Sequence, residues 1–388
     1  MNTDALHFLR DLIAIPSVNP MGTGGAEAVE RGVADYIENV LRRAAVACER
    51  QTVAEGRENL IAILSPSADG PHLKRGGLML NSHMDTVPAA NMAIEPFDPV
   101  IRGGRVYGRG ACDAKGAIAA MLAAFLAHAE RRERRCPILL ALTADEEYSF
   151  AGAWKLIERD LPISACVVGE PTGLMSVIAH KGVARWRIKV RGTSAHGATP
   201  HLGRSAIYDG ARVGLALEAY NGELGARAGH PLLGQPTINV GRIWGGQSVN
   251  MVPDACEFEI ERRLLPGEDG REAVHECEAW IRERLGEEIE LIVEDPFLVD
   301  PPLDTPRDAP VVQALARAHT AVLNKPGAIE GAHYGTDGSK FALAGFETVV
   351  CGPGDIKQAH TSTEFIEIVQ MELAVRFYDN LLTNWPPF

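Results

Sequence analysis

The hydrophobic pattern of the chain changes its period near residue 180, and this change constrains the fold more than any other feature of the sequence. Before residue 180, helical patterns alternate with short, continuously apolar runs such as "GGLMLNSH", "CPILLALTADEE" and "ISACVVGEP". Runs of this kind are typical of a parallel sheet that helices cover on both faces. The pattern therefore predicts an α/β domain in the first part of the chain.

Beyond residue 180 the predicted strands alternate apolar and charged side chains. The stretch "GVARWRIKVRG" has one basic face, and "DACEFEIERRL" has one glutamate-rich face. Strands with one wet face are typical of an antiparallel sheet. Helical patterns between the strands give the order β-α-β-β-α-β, which matches a ferredoxin-like α+β unit at residues 180–295. The first and third strands are neighbours in that topology, so we expect the basic and acidic faces to pair.

The length of 388 residues favours two domains. After the proline-rich linker "DPFLVDPPLDTP", a helical pattern and the apolar run "ETVVCGPG" return. We therefore predict a two-domain α/β protein in which residues 1–179 and 296–388 together form a mixed sheet flanked by helices. The ferredoxin-like unit of residues 180–295 is inserted between them. Helical patterns at residues 26–44 and in "AKGAIAAMLAAFLAHAERRERR" predict two of the flanking helices.

The charge balance and the cysteines exclude several classes of protein. The formal net charge is −13 and the pI is about 5.4, whereas nucleic acids and anionic membranes are bound by basic patches. No apolar run is long enough to span a membrane, and charged residues interrupt the segment where a signal peptide would be apolar. The seven cysteines are scattered without a CxxC pair. We therefore expect a cytoplasmic protein with reduced thiols.

Side chains that bind metals recur where the predicted strands end. The carboxyl ends of strands in an open parallel sheet are where sites form. A single acidic residue there would be interpreted as a cap, but the recurrence favours one shared site. The candidates are His83, Asp85, Asp113, Glu146, Glu147, Glu170 and, after the last apolar strand, His360. Imidazoles and carboxylates without thiols favour a divalent transition metal, with zinc first.

The number of these groups favours two metal ions. Two imidazoles and three carboxylates are too many ligands for one catalytic zinc, but they suit two ions ~3.5–4 Å apart that share a carboxylate and a water. The adjacent Glu146 and Glu147 then receive different roles, because neighbouring side chains on an extended strand point apart. One of them can bind metal while the other takes the proton from the metal-bound water.

Other catalytic classes fit the sequence poorly. The stretch "YGRGACDAKG" has neither the GxGxxG nor the GxxxxGK[ST] spacing of a nucleotide-binding loop. Ser82, Ser149 and Ser194 lack the GxSxG context of a serine hydrolase. Metal-dependent chemistry is therefore the interpretation that the residues favour.

Eight stretches carry a family resemblance that runs nearly from end to end: "SHMDTVP", "VYGRGACDAKG", "TADEEYSFAGA", "VVGEPTG", "AHKG", "SAHGATP", "NMVPDACEFEIERRLLPGED" and "CGPGDIKQAHTSTEFIEI". With them the chain resembles the two-metal amidohydrolase and peptidase family that holds acetylornithine deacetylase, succinyl-diaminopimelate desuccinylase, aminoacylase and glutamate carboxypeptidase. The acetylornithine deacetylase branch is the most similar. The resemblance implies a zinc-peptidase-like catalytic domain with an inserted lid and dimerisation domain.

The resemblance also implies which residues hold the metals. His83, Asp113 and Glu170 would bind one zinc, with Asp113 bridging to the second. Glu147 and His360 would complete the second site. The implied cofactor is therefore a pair of divalent ions, with zinc first and cobalt as an alternative, because availability in the cell decides between them.

The remaining roles also follow from the resemblance. Glu146 would be the general base and acid, and Asp85 would orient the imidazole of His83. The peptide bond after Asp113 would be cis. His196 would reach the site of the partner subunit in a homodimer and stabilise the oxyanion, although a structural role in its loop is the alternative.

Three further residues would contact the substrate. The resemblance implies that Asn250 and Arg263 hold the substrate carboxylate or carbonyl, and that Gly352 lets the backbone approach the substrate. Arg263 shares a polar face with Glu259 and Glu261, so a salt-bridged surface residue is the alternative for it.

The implied reaction is hydrolysis of the amide bond of an N-acylated amino acid. N-acetyl-L-ornithine, cleaved to L-ornithine and acetate in arginine biosynthesis, is the expected substrate. A carboxypeptidase, a dipeptidase or a desuccinylase is the alternative, and residues near His333, Tyr334 and Lys340 are candidates for the acyl pocket that would decide. A non-catalytic binding protein would have lost the base or a ligand, and here every position is filled. We expect a small-molecule substrate and a homodimer, with neither nucleic acid nor membrane as partner.

Overall fold

The structure of the chain is a computed structural model that describes residues 4–22, 29–67, 76–286 and 288–386. The chain forms two compact units. The first unit comprises residues 1–178, 305–330 and 336–388, and the second comprises residues 179–304 and 331–335. The second unit includes the whole segment that the sequence predicts as an insert, and it extends beyond that segment on the C-terminal side.

The helices and strands have the following bounds. The α-helices are α1 Ala5–Ala14, α2 Arg31–Arg43, α3 Lys115–Ala129, α4 Ala151–Leu156, α5 Ala206–Gly225, α6 Gly270–Leu285, α7 Pro310–Leu323, α8 Gly338–Leu343 and α9 Ile368–Thr383. The strands are β1 Cys48–Ala54, β2 Arg57–Leu64, β3 Gly77–His83, β4 Val100–Arg102, β5 Arg105–Tyr107, β6 Ile138–Thr143, β7 Ile163–Val168, β8 Ser176–His180, β9 Gly182–Arg191, β10 Ala195–His196, β11 Thr237–Gly245, β12 Met251–Val252, β13 Ala255–Leu264, β14 Glu290–Val293, β15 Leu298–Asp300, β16 Leu303–Asp304, β17 Ile329–Ala332, β18 Glu347–Val350 and β19 Phe365–Glu367. None of these helices is long and apolar enough to cross a membrane.

The first unit is built on a mixed sheet with the strand order β1-β2-β6-β3-β7-β18-β8. The centre of the sheet consists of four strands that all run in the same direction, in the order β6-β3-β7-β18. Strand β2 pairs antiparallel with β6, and β8 pairs antiparallel with β18. The continuous apolar runs thus form the parallel centre, as their lack of alternation predicts.

Two groups of helices cover this sheet. Helices α1, α3, α7 and α9 pack on one another, and α3 also packs on β3 and β6. Helices α2, α4 and α8 contact other strands, among them β2, β1 and β18. Every residue of β3 and β6 is buried, and successive side chains of a strand point to opposite faces, so both faces of the sheet centre are covered. The predicted α/β fold, a mixed sheet flanked by helices, is confirmed.

The two predicted helices are shorter than their sequence patterns. Helix α3 ends at Ala129 and does not continue through "ERRERR". The guanidinium of Arg134 folds back and donates to the carbonyl oxygens of Ala129 and Arg131 at 3.3 and 2.8 Å, which satisfies carbonyls at the helix end. Helix α2 begins at Arg31 rather than at residue 26, and residues 26–28 of that prediction lie outside the described residues.

The second unit contains an antiparallel sheet with the order β11-β13-β9-β14, against which α5 and α6 pack. The four strands follow β-α-β-β-α-β along the chain, and this order of pairing is that of a ferredoxin-like unit. Strands β9 and β13 are neighbours, with Arg185 opposite Glu261 and Arg187 opposite Glu259. Their ion pairs measure 2.7 and 2.8 Å. The predicted pairing of the basic and acidic faces is confirmed.

The proline-rich segment predicted as a linker is in part structured. Its residues Leu298–Asp300 form β15, which pairs antiparallel with β9. Proline has no N–H to donate to a sheet, so a run bounded by prolines is confined to the edge of a sheet. A short apolar run of this kind can still pair with the free edge of a strand. The linker prediction is wrong for these residues, and their pairing explains why the second unit extends beyond residue 295.

Candidate metal centre

Parallel neighbouring strands bring the candidate ligands of the first unit to one edge of the sheet. His83 is the last residue of β3, and Glu170 follows the end of β7. Glu146 and Glu147 follow the end of β6. Strands β6, β3 and β7 lie side by side and run in the same direction, so their carboxyl ends meet, as expected for a site in an open sheet.

Asp113 lies between the two histidines and offers one carboxylate oxygen to each. Nε2 of His83 is 3.1 Å from Oδ1 of Asp113, and Nε2 of His360 is 3.4 Å from Oδ2. His83 also lies 3.7 Å from Oε1 of Glu170, and His360 lies 3.2 Å from Oε2 of Glu147. The structure therefore brings all five predicted ligands together, in two halves that share Asp113.

A positive charge placed among these side chains would stabilise the buried carboxylates of the cluster. Oε1 of Glu147 and Oε1 of Glu170 are buried and have no hydrogen-bond partner among the described residues. Burial and the nearby Asp113 raise the pKa of Glu147 to about 7. Hydrogen bonds that the imidazole of His360 donates to the carboxylates of Asp113 and Glu147 raise the pKa of His360 to about 10. Unpaired carboxylate oxygens beside imidazoles are the donor set of a divalent transition metal, and the residues fit such an ion.

Glu146 is not one of the five proposed metal ligands. Burial and the negative charge of Glu170 raise its pKa well above the ordinary value, although His83 opposes this effect. A carboxylate with a raised pKa beside a metal site is suited to accept a proton and return it.

Asp85 holds both the first imidazole and the glutamate pair, through different atoms. Its backbone carbonyl oxygen lies 2.9 Å from Nδ1 of His83, whereas its carboxylate lies 3.6 Å away, beyond hydrogen-bond distance. The carboxylate instead accepts the backbone N–H groups of Glu146 and Glu147 at 3.2 and 3.3 Å. Asp85 therefore contacts three residues of the site.

The loop that carries Asp113 is held by a residue that the sequence analysis missed. Glu364 is fully buried, and it accepts hydrogen bonds from Arg109 at 2.7 Å and from the backbone N–H groups of Gly110, Cys112 and Asp113 at 3.0, 2.9 and 3.0 Å. Several backbone N–H groups of this glycine-containing loop converge on one point and require an acceptor there. No local sequence pattern identifies the acidic residue that supplies it. The peptide bond after Asp113 is cis, as the resemblance implies.

Gly352 has a structural explanation near the site. A Cβ atom at this position would lie 2.6 Å from the carbonyl oxygen of Glu170. A glycine is therefore required by the close approach of the two backbones. The predicted approach to a substrate stays a prediction.

The other predicted site residues lie in the second unit. His196 is exposed in β10, and its Nδ1 accepts the N–H of Ala198 at 3.0 Å. Oδ1 of Asn250 accepts the hydroxyl of Ser248 at 2.5 Å. Arg263 donates to Glu261 at 2.8 Å, so the salt bridge considered for it is present.

The residues named for the acyl pocket are divided between the units. His333 is exposed in the second unit, which also contains Tyr334. Lys340 belongs to the first unit, where it is fully buried and donates to the carbonyl oxygen of Thr336 at 3.0 Å. A pocket role for these residues stays a prediction.

A family model, peptidase family M20/M25/M40, matches residues 79–384 and thus spans every predicted site residue. The chain belongs to this family. It is a metal-dependent hydrolase, so the predicted enzyme class and the family resemblance are confirmed.

Relatives and solved structures support the same placement. The chain is 35% identical over 352 residues to an acetylornithine deacetylase of Myxococcus xanthus, covering 86% of this chain and 87% of that protein. It is 29% identical over 391 residues to an acetylornithine deacetylase of Proteus mirabilis, covering 98% and 96%. An M20 family metallo-carboxypeptidase of Sulfolobus solfataricus shares the fold with a TM-score of 0.78 at 19% identity, over 99% of this chain and 100% of that one. A dinuclear metal binding peptidase of Bacillus subtilis has a TM-score of 0.70 at 16% identity, over 97% and 96%.

Proposed function

We propose that the protein is a two-zinc amidohydrolase that removes the N-acyl group from an amino acid, with N-acetyl-L-ornithine as its substrate. The observation that carries the proposal is the position of Asp113, whose two oxygens each face one histidine. The similarity to acetylornithine deacetylases over most of the chain supports the choice of substrate.

Each proposed metal position has its own donors. His83 and Glu170 would hold one ion, His360 and Glu147 the other, and Asp113 would contact both. Zinc is the proposed ion, with cobalt as the alternative. Such ions polarise an acyl carbonyl and lower the pKa of a bound water when they are present.

The protein's own residues would move the protons. Glu146 takes a proton from the attacking water and returns it to the leaving amine. His196 donates a hydrogen bond to the oxyanion. Because Nδ1 of His196 accepts a backbone N–H, the neutral imidazole carries its proton on Nε2 and is prepared to donate.

We further propose that His196 acts in the site of a partner subunit, within a homodimer formed by the second unit. The support is a set of large apolar side chains that are exposed on two neighbouring elements of that unit, α5 and β11. It comprises Ile207, Tyr208 and Leu215 of α5 with Ile243 and Trp244 of β11. The seven cysteines are unpaired, which supports the expected reducing, cytoplasmic environment.

The test is amine release from a panel of N-acetylornithine, N-acetylmethionine, N-succinyl-diaminopimelate and several dipeptides. Each substrate is assayed after chelation and again after zinc is restored. We expect zinc-dependent release from N-acetylornithine, lost in Glu146→Gln and kept in Glu158→Gln, which changes an exposed glutamate paired with Lys155.

Two outcomes would contradict the proposal. Turnover of dipeptides or succinyl substrates alone would keep the hydrolytic chemistry and refute the proposed substrate. Zinc-independent turnover, or turnover that survives in Glu146→Gln, would refute the proposed mechanism.

A further inference from the structure

A cluster of buried charges lies directly beside the proposed metal ligands in the first unit. It consists of Arg57 and three carboxylates, those of Glu30, Asp85 and Asp145. The side chain of Arg57 is 11% exposed, and those of the carboxylates are 1%, 0% and 7% exposed. Charges this deeply buried are costly unless they are paired and hydrogen-bonded. The cluster is therefore held in one arrangement by its own contacts.

One guanidinium donates hydrogen bonds to two of the carboxylates and lies near the third. Nε of Arg57 donates to both oxygens of Glu30 at 3.1 Å, and Nη1 donates to Oδ1 of Asp145 at 2.6 Å. Nη2 lies 4.0 Å from Oδ2 of Asp85. The carboxamide of Asn19 completes the connection, because its NH₂ group donates to Asp85 at 2.7 Å and to Asp145 at 2.8 Å. The planar guanidinium holds its donors in fixed directions, whereas an ammonium group is a compact charge with rotatable donors.

The same carboxylates hold the backbone of the turn after β6. Glu30 accepts the N–H of Asp145 at 3.2 Å. Asp85 accepts the N–H groups of Glu146 and Glu147 at 3.2 and 3.3 Å. Three successive N–H groups thus end on carboxylates that Arg57 faces. A displaced carboxylate would move the backbone from which both glutamates project.

We propose that Arg57 is a positioning residue for the proposed hydrolysis. It fixes the turn carrying Glu146 and Glu147 by donating hydrogen bonds to Glu30 and Asp145 and by placing its positive charge 4.0 Å from Asp85. The proposal rests on the proposed function, because it concerns the same site. Arg57 forms no hydrogen bond with the side chains of either glutamate among the described residues, so it acts through the carboxylates. Without the guanidinium, three neighbouring negative charges repel one another inside the protein.

The experiment compares Arg57→Met and Arg57→Lys with the parent protein and with Arg50→Met. Arg50 is a matched control, since it is 18% exposed and also joins three carboxylates, those of Asp35, Glu38 and Glu58 at 2.6, 2.6 and 3.4 Å. None of those carboxylates is a proposed ligand or contacts the turn after β6. Both changes remove a partly buried arginine that joins several carboxylates, and only one disturbs the proposed positioning.

Two readouts separate positioning from a general loss of stability. For Arg57→Met, kcat should fall about 10–100-fold while KM changes less than about twofold, because displacement of a reacting group by ~1 Å has effects of this size. Zinc affinity of the chelated protein should fall about tenfold or more, as expected when groups that orient ligands are lost. Arg57→Lys should lie between the parent and Arg57→Met. Arg50→Met should unfold more easily and keep the parental kcat and zinc affinity.

Parental kcat and zinc affinity in folded Arg57→Met, or equal losses in Arg50→Met, would overturn the proposal. If Arg57→Met does not fold, Arg57→Lys decides in the same way through its kcat and zinc affinity. If the parent hydrolyses no member of the substrate panel, the proposed function fails, while zinc affinity still tests the role of Arg57.

Discussion

Replacement of Glu364 by glutamine should loosen the loop that carries Asp113. The carboxylate accepts four hydrogen bonds, one from Arg109 and three from backbone N–H groups. Glutamine keeps one oxygen and turns the other into an NH₂ group that faces N–H donors. The change therefore removes two acceptor contacts at once and leaves the buried Arg109, which is 3% exposed, without its counter-ion.

The size of the effect follows from two separate considerations. Breaking a buried ion pair by removing one partner costs ~3–5 kcal/mol. Two lost hydrogen bonds to a charged acceptor, at ~1.5–3 kcal/mol each, give a similar sum. Burial and Asp113 raise the pKa of Glu364, so the ionised form is already penalised and the lower part of the range applies. We expect a loss of ~3–4 kcal/mol in the free energy of unfolding of the first unit.

The assay is guanidinium chloride unfolding of the chelated protein, together with a zinc titration of the folded variant. Zinc affinity should fall about 10–100-fold, because the loop that carries Asp113 loses two of the four hydrogen bonds that hold it. Glu367→Gln is the matched control, since Glu367 pairs with Arg105 at 3.3 Å and both side chains are more than two-fifths exposed. That control should show no measurable change. Equal stability losses in the two variants, or parental zinc affinity in Glu364→Gln, would refute the reasoning.

Three further predictions concern other parts of the molecule. Inactive His196→Ala and inactive Glu146→Gln subunits should regain about a quarter of parental activity when they are mixed and allowed to exchange, because half of the dimers then carry one intact site. No regain on mixing would exclude action of His196 across the interface. Burial of the His128 side chain and, to a smaller extent, the positive charges of two nearby arginines lower its pKa to about 4. This histidine is therefore neutral in the folded protein, and its full contribution to the free energy of unfolding is present above pH ~6.5. Up to ~3 kcal/mol of that free energy is lost as the pH falls towards 4. In His128→Leu this part of the acid destabilisation, measured by urea unfolding at several pH values, should be absent. Gly352→Ala should destabilise the first unit by ~1–3 kcal/mol in the same unfolding assay and weaken zinc binding, since the added methyl group meets the backbone of Glu170.

Controls are available for the last two predictions. Gly222 lies within helix α5, and a Cβ atom there meets nothing within 4 Å, so Gly222→Ala should stabilise its unit slightly. His275 of α6 is exposed, and His275→Leu is the surface control for replacing a histidine by leucine. A stabilised Gly352→Ala, or an unchanged pH profile in His128→Leu, would contradict the packing argument or the burial argument respectively.

The ligands of the candidate centre could be predicted because two simple regularities act together. Continuous apolar runs locate strands such as β3 and β6. Parallel neighbours bring the residues at or just beyond their ends, His83 and Glu147 among them, to the same edge. The cross-strand ion pairs of the second unit were predictable for a related reason. A strict period of two fixes which side chains share a face.

Other features depend on contacts that no local pattern records. Glu364 and Arg57 are far along the chain from the residues they hold, and each looks like an ordinary charged residue beside a strand. Helix α3 ends at Ala129, whose carbonyl oxygen accepts from the side chain of Arg134, and the composition of the segment does not reveal this contact. Strand β15 forms because an edge of β9 is available to it, a condition that only the folded sheet creates.

The opposite charges of β9 and β13 also affect what happens between chains. Arg185 and Arg187 lie on a strand whose exposed face is basic, and their partners Glu259 and Glu261 lie on one whose exposed face is acidic. Two copies of either strand would set like charges against each other, which is unfavourable for adjacent strands. While chains are still partly folded and their strand edges are free, self-recognition of the same segment is therefore discouraged, and each strand is directed to its partner. The ion pairs at the surface contribute little to stability, whereas the like charges along each free strand oppose its pairing with a second copy of itself.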